Sequence, residues 1–220
     1  MLRASIWARG LSTEQLHRVE RETQERVYPA GAVLCHKNAP ATHWIGVVEG
    51  MIKVDNVAAD GRSTTFIGVS AGGWFGEGSV LKNEPRPYEV VALRDSRMAF
   101  MPRATFDWLV ASSLPFNRFL IDQLNARLGQ FVALVESYRM HDVASRVANC
   151  LAELFNPQLN PAAGHVIEIS QEEVGRLSGM SRQIAHRALH ELEQAGLVQV
   201  SYGAIDVCDI EGLRRFARAH

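Results

Sequence analysis

The segment from Ile169 to Val200 constrains the fold of this chain more than any other part of its 220 residues. Ser170 followed by Glu173 makes a capping box that opens a first helix, and Gly179 permits a sharp turn after it. Ser181 is a suitable cap for a second helix. The apolar residues of that second helix recur at spacings of three and four: Ala185, Ala188, Leu189 and Leu192. Together these signals predict a helix-turn-helix.

The surroundings of the second helix are typical of a DNA-binding motif. The outward face of its first turns carries donor-rich polar side chains: Arg182, Gln183, His186 and Arg187. Arginine pairs with guanine O6 and N7, and glutamine pairs with adenine N6 and N7. Gly196 should end the helix, and residues 197–200 and 204–207 alternate apolar side chains around a Tyr202-Gly203 turn, which predicts a winged helix. The alternative is an ordinary helical hairpin with a solvated polar face.

Composition narrows the class of protein. With 47% apolar residues and a formal net charge of −1, the chain can bury a real core and carries neither a basic coat nor an acidic tail. DNA affinity would therefore depend on where individual arginines point. Three arginines near the C terminus are candidates for additional contacts: Arg214, Arg215 and Arg218.

Cysteine usage and the lack of apolar runs indicate the compartment. Cys35, Cys150 and Cys208 form neither a zinc-binding spacing nor a pair, which predicts a reduced protein with buried thiols. We find no signal peptide and no run of about 18 apolar residues. We therefore expect a cytoplasmic protein without a membrane segment.

Residues 1–113 predict a short helix followed by a small β domain. Ser12 and Gln15 make a capping box for the helix. Short β-like runs follow, separated by glycine and proline: Val33–Cys35, His43–Glu49, Met51–Val57, Ser63–Val69, Glu89–Leu93 and Met98–Met101. Many short strands at this spacing indicate a barrel or sandwich, and Asp60-Gly61 is a strong hairpin signal.

A long helix should run from Pro115 to about Met140, within a segment that we set at residues 114–140. Its apolar residues have the 3-4-3-4-3 spacing of a heptad seam: Ile121, Leu124, Leu128, Phe131, Val135 and Tyr138. A seam of this length favours packing against an identical partner, although a single core helix could carry a similar stripe. A two-fold dimer would present two recognition helices to DNA about one helical turn apart.

The remaining segment, residues 141–220, predicts a separate domain. Asp142 is a candidate cap for a helix from Val143 to Phe155, and Met140-His141-Asp142 is the natural hinge. Residues 156–164, rich in proline and asparagine, should form a loop before the helix-turn-helix.

The order of a glycine-punctuated β domain, a long helix and a winged helix resembles the CRP/FNR family of bacterial transcription regulators over nearly the whole chain. The most specific motifs are GWFGEGS (Gly73–Ser79) and GMSRQIAHR (Gly179–Arg187). The resemblance implies an α+β fold with an N-terminal antiparallel β-roll of the cyclic-nucleotide-binding kind, a long dimerisation helix and a C-terminal winged helix-turn-helix. It implies a homodimeric regulator that binds pseudo-palindromic double-stranded DNA and has RNA polymerase as a further partner.

The resemblance also implies DNA contacts for individual residues. Arg182 and Arg187 match the arginines that contact guanine, and Ser170 and Ser181 match phosphate contacts. Gln183 replaces a glutamate that accepts a hydrogen bond from cytosine N4. The middle of the half-site should therefore differ from that of the family, toward adenine.

An effector pocket is a further implication of the resemblance. In family members that bind cyclic AMP, a Gly-Glu pair holds the ribose and cyclic phosphate, and an arginine followed by Ser/Thr and Ala grips the phosphate. Gly76 and Glu77 match the pair, and Arg86 matches the arginine when one residue is deleted between them. Pro87 has no N–H for a phosphate oxygen, and Tyr88 would crowd the site.

The effector itself stays open. Phe131 and Val132 stand where the family has paired hydroxyl residues that meet the adenine. A cyclic nucleotide, another small effector or no effector at all are the alternatives, and the last would make the chain an effector-independent regulator. Glu77 and Arg86 could instead form a residual ion pair that closes the roll.

Other cofactors and other classes of protein have little support. The first 34 residues hold no cysteine for an iron–sulfur cluster, and no pattern marks a haem ligand among His36, His43 and Trp74. His186 and His190 have the spacing of a metal pair but lack a third ligand. We expect no metal, haem or iron–sulfur cofactor. An enzyme would need a nucleophile with a base or a P-loop, and a module that acts on a protein partner would leave the winged helix unexplained.

Overall fold

The computed structural model describes residues 2–57, 63–140 and 142–219, which fold as a β-roll, a long helix and a winged helix in that order. Two 3₁₀ segments, Leu2–Ala4 and Ile6–Gly10, and helix α1 (Thr13–Glu22) precede the roll. The strands of the roll are β1 (Gln24–Tyr28), β2 (Val33–Cys35), β3 (His43–Glu49), β4 (Met51–Val57), β5 (Ser63–Ser70), β6 (Trp74–Phe75), β7 (Glu89–Ala92) and β8 (Ser96–Pro102). The Ser12–Gln15 capping box before α1 is confirmed.

The roll consists of two four-stranded antiparallel sheets with the orders β1-β8-β3-β6 and β2-β7-β4-β5. The sheets share a core of inward-facing side chains: Ile45, Val47, Ile52, Val54, Val69, Phe75, Val90, Met98 and Phe100. The expected strand runs are confirmed with small shifts at their ends. The Asp60-Gly61 turn lies outside the described residues, but β4 and β5 on either side of it pair antiparallel up to Val57 and Ser63.

Besides the two 3₁₀ segments and the two-residue strand β6, three elements of the N-terminal half were not predicted. β1 has the polar sequence QERVY with four exposed residues, so it lacks the alternation that marks a strand, and it pairs only along the outer edge of β8. Helices α2 (Glu77–Lys82) and α3 (Arg103–Ser112) have no side-chain cap at their N termini. Their sequence signals are therefore weak, and tertiary packing decides their conformation.

A cluster of aromatic rings connects the roll to the long helix α4 (Leu114–Met140). Trp44 lies at its centre, with its ring 4.3 Å from that of Trp74 and 5.6 Å from that of Phe116. α4 begins one residue before Pro115 and continues through Gly129 without a break. The rigid cluster therefore fixes where this helix leaves the roll.

The C-terminal domain is a winged helix. Its helices are α5 (Val143–Glu153), α6 (Gln171–Leu177), α7 (Arg182–Gln194) and α8 (Ile210–Ala219). Its strands β9 (Val166–Ile167), β10 (Val198–Ser201) and β11 (Ala204–Val207) form a sheet in the order β10-β11-β9. α8 and β9 were not predicted as elements.

The predicted caps and turns of this domain are confirmed. The Asp142 carboxylate accepts from the Ser145 N–H at 2.8 Å, and Ser170 and Glu173 form the capping box. Gly179 and Gly196 have φ values of 70° and 71°, which suit the turns after α6 and α7. His141, the middle residue of the expected hinge, lies outside the described residues.

The winged helix packs directly against the roll. Met51 of β4 belongs to the same buried cluster as Leu151 and Leu177 of the C-terminal domain. Arg94 forms an ion pair with Glu168 at 2.7 Å. The two domains therefore share a packed interface in this conformation.

The thiols are less buried than expected. Cys208 is exposed, which corrects the expectation of buried thiols, while Cys35 and Cys150 are half-buried. Burial raises the pKa of the Cys150 thiol to about 12, so it stays protonated at neutral pH. Within residues 2–57, 63–140 and 142–219, none of the helices combines the length and hydropathy that crossing a bilayer demands.

Candidate DNA interface and effector cavity

α7 presents the expected polar face to solvent. Its buried side consists of Ala185, Ala188, Leu189 and Leu192, which pack on the rest of the winged helix. The four side chains predicted to contact bases are all exposed: Arg182, Gln183, His186 and Arg187. The 3.6-residue period of the helix produces this separation. A polar helix face of this kind can enter a major groove.

The arginines of this face are free of carboxylates. Within the described part of the chain, neither Arg182 nor Arg187 forms an ion pair, whereas Arg176 of α6 pairs with Glu172 at 2.6 Å. The two free guanidinium groups keep their donors available for bases or phosphates. Their charge also compensates for the lack of a basic composition.

His186 is positioned by a residue that the sequence did not single out. Its Nδ1 lies 3.0 Å from Oε1 of Gln171, the first residue of α6. A neutral imidazole that donates from Nδ1 leaves Nε2 as an acceptor. Only the packing of α6 against α7 brings these two residues together.

The two serines expected at phosphates act as helix caps. The Ser170 hydroxyl accepts from the Glu173 N–H and donates to the Glu173 carboxylate at 2.8 Å. The Ser181 hydroxyl accepts from the Ile184 N–H at 3.4 Å. Ser181 therefore has a hydroxyl proton free for a phosphate, while that of Ser170 is engaged.

α4 carries an exposed apolar stripe, which we call the α4 stripe. Its members are between 40% and 62% exposed: Ile121, Leu124, Leu128, Phe131, Val132 and Val135. The side chain of Tyr138, the last predicted member of the seam, lies outside the described residues. A contiguous row of large apolar side chains at this exposure marks an interaction surface.

A cavity of about 350 Å³, which we call the roll cavity, lies between the roll and α4. Its lining includes four of the five residues expected at an effector: Gly76, Glu77, Tyr88 and Phe131. The fifth, Arg86, is not part of the lining. Phe131 belongs both to this lining and to the α4 stripe.

Arg86 lies behind the wall of the roll cavity and is only 2% exposed. Its Nη2 donates to the His43 carbonyl at 2.6 Å, and its Nη1 lies 3.4 Å from the Tyr88 hydroxyl. Gly76 has a φ of 85°, and a Cβ at this position would collide with the guanidinium of Arg86. The close approach of these two residues therefore requires glycine. Arg86 forms no ion pair with Glu77, so the alternative of a residual ion pair is not seen in the described residues.

Sequence models of two domain families match the chain. The cyclic nucleotide-binding domain matches residues 25–113, and the Crp-like helix-turn-helix domain matches residues 145–216. The chain belongs to the CRP/FNR family. Its family and its helix-turn-helix domain make it a DNA-binding transcription regulator.

A curated relative and several solved structures match the chain over most of their length. The CRP-like cAMP-activated global transcriptional regulator of Mycobacterium tuberculosis is 24% identical, over 99% of this chain and 98% of that protein. The structure of FixK2 from Bradyrhizobium japonicum is 19% identical and matches with a TM-score of 0.74 over 88% of this chain and 96% of that one. The c-di-GMP responsive global regulator CLP of Xanthomonas campestris is 20% identical, with a TM-score of 0.61 over 89% and 99% of the two chains.

Within this CRP/FNR regulator, the roll cavity contains a buried charge that the sequence analysis missed. Arg127 of α4 lines the cavity, and its guanidinium lies 3.4 Å from the Trp74 carbonyl and 3.1 Å from Oε1 of Gln130. Burial lowers the pKa of Arg127, and the Glu77 carboxylate partly offsets this shift. A lone arginine between seam positions of the helix is the only sequence signal that could have marked it.

Glu77 and Tyr88 complete the polar wall of the roll cavity. Glu77 is 4% exposed, and its Oε2 has no hydrogen-bond partner in the described structure. Burial raises the pKa of the Tyr88 hydroxyl, although the nearby Arg86 opposes this effect. Tyr88 is therefore a neutral phenol at physiological pH, and Glu77 presents a free acceptor.

Proposed function

We propose that this regulator acts as a homodimer that binds pseudo-palindromic DNA and that a small effector in the roll cavity biases the arrangement of the two copies. The observation that carries the proposal is that one chain combines two unpaired arginines on an exposed α7 face with a solvent-exposed apolar stripe on α4. We take residues 1–113, 114–140 and 141–220 as the sensing, dimerisation and DNA-binding segments.

The α4 stripe supports a two-fold dimer. A second copy that packs its own stripe against this one across a two-fold axis would bury the exposed leucine, valine and phenylalanine side chains of both helices. Two α7 helices would then face successive turns of the major groove, about 34 Å apart. The operator should accordingly be a palindrome.

The position of Phe131 supports coupling between effector and dimer. Because this ring belongs both to the roll cavity and to the α4 stripe, a ligand that moves it changes the surface offered to the partner copy. An effector shifts the arrangement only if it binds one arrangement better than the other. The named regulators similar to this chain include one described as cAMP-activated and one described as c-di-GMP responsive, so the family does not fix the effector.

An effector-independent regulator is the second candidate. The observation that favours it is that Tyr88 lines the cavity while Arg86 does not and donates instead to the His43 carbonyl. In either case we place the protein in the cytoplasm, where bacterial DNA lies, with RNA polymerase as its further partner and without catalytic activity.

Selection of bound sites from random duplexes tests the proposed function. We expect the full-length protein to select a palindrome whose half-sites have centres about 10 base pairs apart. Calorimetric titration with cyclic nucleotides and cyclic dinucleotides, in the presence and absence of the selected site, separates the effector-dependent from the effector-independent regulator. Retention of scrambled duplexes as strongly as of any selected sequence would refute the proposal.

Arg187→Ala should weaken binding to the selected site by about 1–3 kcal/mol and relax the preference at one base pair of each half-site. The reason is that Arg187 is exposed, lies near the middle of the outward face of α7 and has no carboxylate partner among the described residues. Fluorescence anisotropy against a panel of single-base variants measures both effects. Arg176→Ala is the matched control, because Arg176 already pairs with Glu172, and it should leave the base preference unchanged. Equal weakening on all sequences would show that Arg187 contacts phosphate.

A further inference from the structure

We propose that the roll cavity binds an uncharged, largely apolar ligand of one or two rings that donates a hydrogen bond to Glu77, and that Tyr88 occupies the place a ligand phosphate would need. This inference rests on the proposed function, because it names the chemical class of the effector. Three observations support it: the size of the cavity, the Glu77 carboxylate oxygen without a hydrogen-bond partner in the described structure, and the guanidinium of Arg86, which donates to the His43 carbonyl.

The size and lining of the cavity favour an apolar ring system. Its volume is about 350 Å³, and aromatic and aliphatic side chains contribute much of its wall, among them Phe66, Phe75, Leu124 and Phe131. An engineered cavity of roughly 150 Å³ is enough for benzene. The roll cavity therefore has room for one ring or two fused rings.

Glu77 supplies the directional contact. A buried acceptor without a partner is costly, and a ligand N–H or O–H aimed at it removes that cost. Glu77 is more than nine-tenths buried, lines the cavity and leaves its Oε2 unbonded. A ligand that lacks a donor at this point would leave the penalty in place.

The hydroxyl of Tyr88 occupies the position beside Arg86 at which an anionic group of a ligand would bind. The guanidinium of Arg86 is directed to the His43 carbonyl and to the hydroxyl of Tyr88, so a phenol oxygen lies where a phosphate oxygen would meet this arginine. Pro87 has no N–H to offer a phosphate. A phosphodiester would therefore meet the ring of Tyr88 before it reached Arg86.

The lining of the cavity already carries charges of both signs. Glu77 and Arg127 both line the cavity and carry opposite charges. Lys82, a further cation at its edge, already pairs with Glu84. An uncharged donor satisfies the Glu77 carboxylate without bringing a further charge into this partly desolvated space.

Calorimetric titration of the full-length protein with two matched pairs of probes tests the inference. Indole and phenol each carry one donor, and 1-methylindole and anisole are the same molecules with that donor methylated. We expect indole and phenol to bind saturably and their methylated partners to bind about 10- to 100-fold more weakly, because a hydrogen bond to a charged acceptor is lost. Cyclic AMP should bind more weakly than indole.

Variants at the cavity assign the effect to Glu77 and Tyr88. Glu77→Gln keeps the volume and should reduce indole binding toward that of 1-methylindole, whereas Glu14→Gln, the same change at an exposed position of α1 outside the lining, should leave it intact. Tyr88→Ala should open the arginine to solvent and strengthen cyclic AMP binding by about tenfold or more. Tyr88→Phe keeps the ring and should bring no such gain.

Three results would overturn the inference. They are equal binding of a donor and its methylated partner, no saturable binding of indole or phenol up to millimolar concentration, and tighter binding of cyclic AMP than of indole by the unmodified protein. Site selection on random duplexes is measured without ligand in the same preparations. A loss of DNA selectivity would refute the proposed function, and selectivity with a failed ligand test would refute only this inference.

Discussion

Replacing Leu128 by glutamate is expected to convert the proposed dimer into monomers and to weaken binding to a full palindrome by about 10²- to 10⁴-fold. Leu128 is 62% exposed, lies in the middle of the α4 stripe and would meet the corresponding region of the second copy. Two carboxylates placed in one apolar seam would lose their hydration and repel each other. The second recognition helix then no longer benefits from being tethered to the first.

Sedimentation equilibrium and anisotropy on full and half sites measure this effect. Because Leu128 is already exposed within one copy, the variant should keep the fold of the single chain, as judged by circular dichroism. Arg118→Glu is the matched control, since Arg118 is on the same helix, is 79% exposed at its side chain and lies outside the stripe. A Leu128→Glu protein that stays dimeric at micromolar concentration would show that α4 is not the dimer interface.

Replacing Trp44 by alanine is expected to lower the free energy of unfolding by about 3–5 kcal/mol. Trp44 is completely buried, and its ring lies within 6 Å of those of Trp7, Trp74, Phe106 and Phe116. Its Nε1 has no hydrogen-bond partner among the described residues, so the loss comes from packing alone. We also expect weaker DNA binding, because this cluster fixes the start of α4.

Urea unfolding followed by circular dichroism measures the change from the transition midpoint at constant slope. Trp108→Ala is the matched control, because Trp108 is only half-buried and lies under the guanidinium of Arg18 at the surface, 4.2 Å away. It should cost much less than the change at Trp44. An equal cost for the two tryptophans would show that the aromatic cluster does not organise the domain.

The C-terminal domain was the part most open to sequence reasoning. Its helix caps and turn glycines act on backbone within about four residues, so the local sequence is enough to predict them. The caps are Asp142, Ser170 and Ser181. The exposed polar face of α7 follows from helical periodicity in the same way. The sequence did not predict β1 for the opposite reason. Its polar residues form a strand only because they pair with the edge of β8, which is distant in the sequence.

The roll cavity shows where local reasoning ends. Gly76 and Glu77 of the sequence motif form part of one wall, but the orientation of Arg86 depends on a carbonyl 43 residues away, at His43. Arg127, which lines the cavity, donates to the carbonyl of Trp74, 53 residues earlier. Neither partner is encoded in the spacing of neighbouring residues.

The sequence by itself determined the order of a β domain, a long helix and a winged helix, the caps and turns of the C-terminal domain and the exposed arginines of α7. These features depend on hydrogen bonds between residues close in sequence and on the spacing of apolar residues in helices and strands, and both can be identified from the sequence. Only the tertiary structure decided which side chains line the roll cavity, that the Tyr88 hydroxyl contacts Arg86, and that Gln171 contacts His186. These choices depend on which distant segments pack together, and only the folded chain sets those distances.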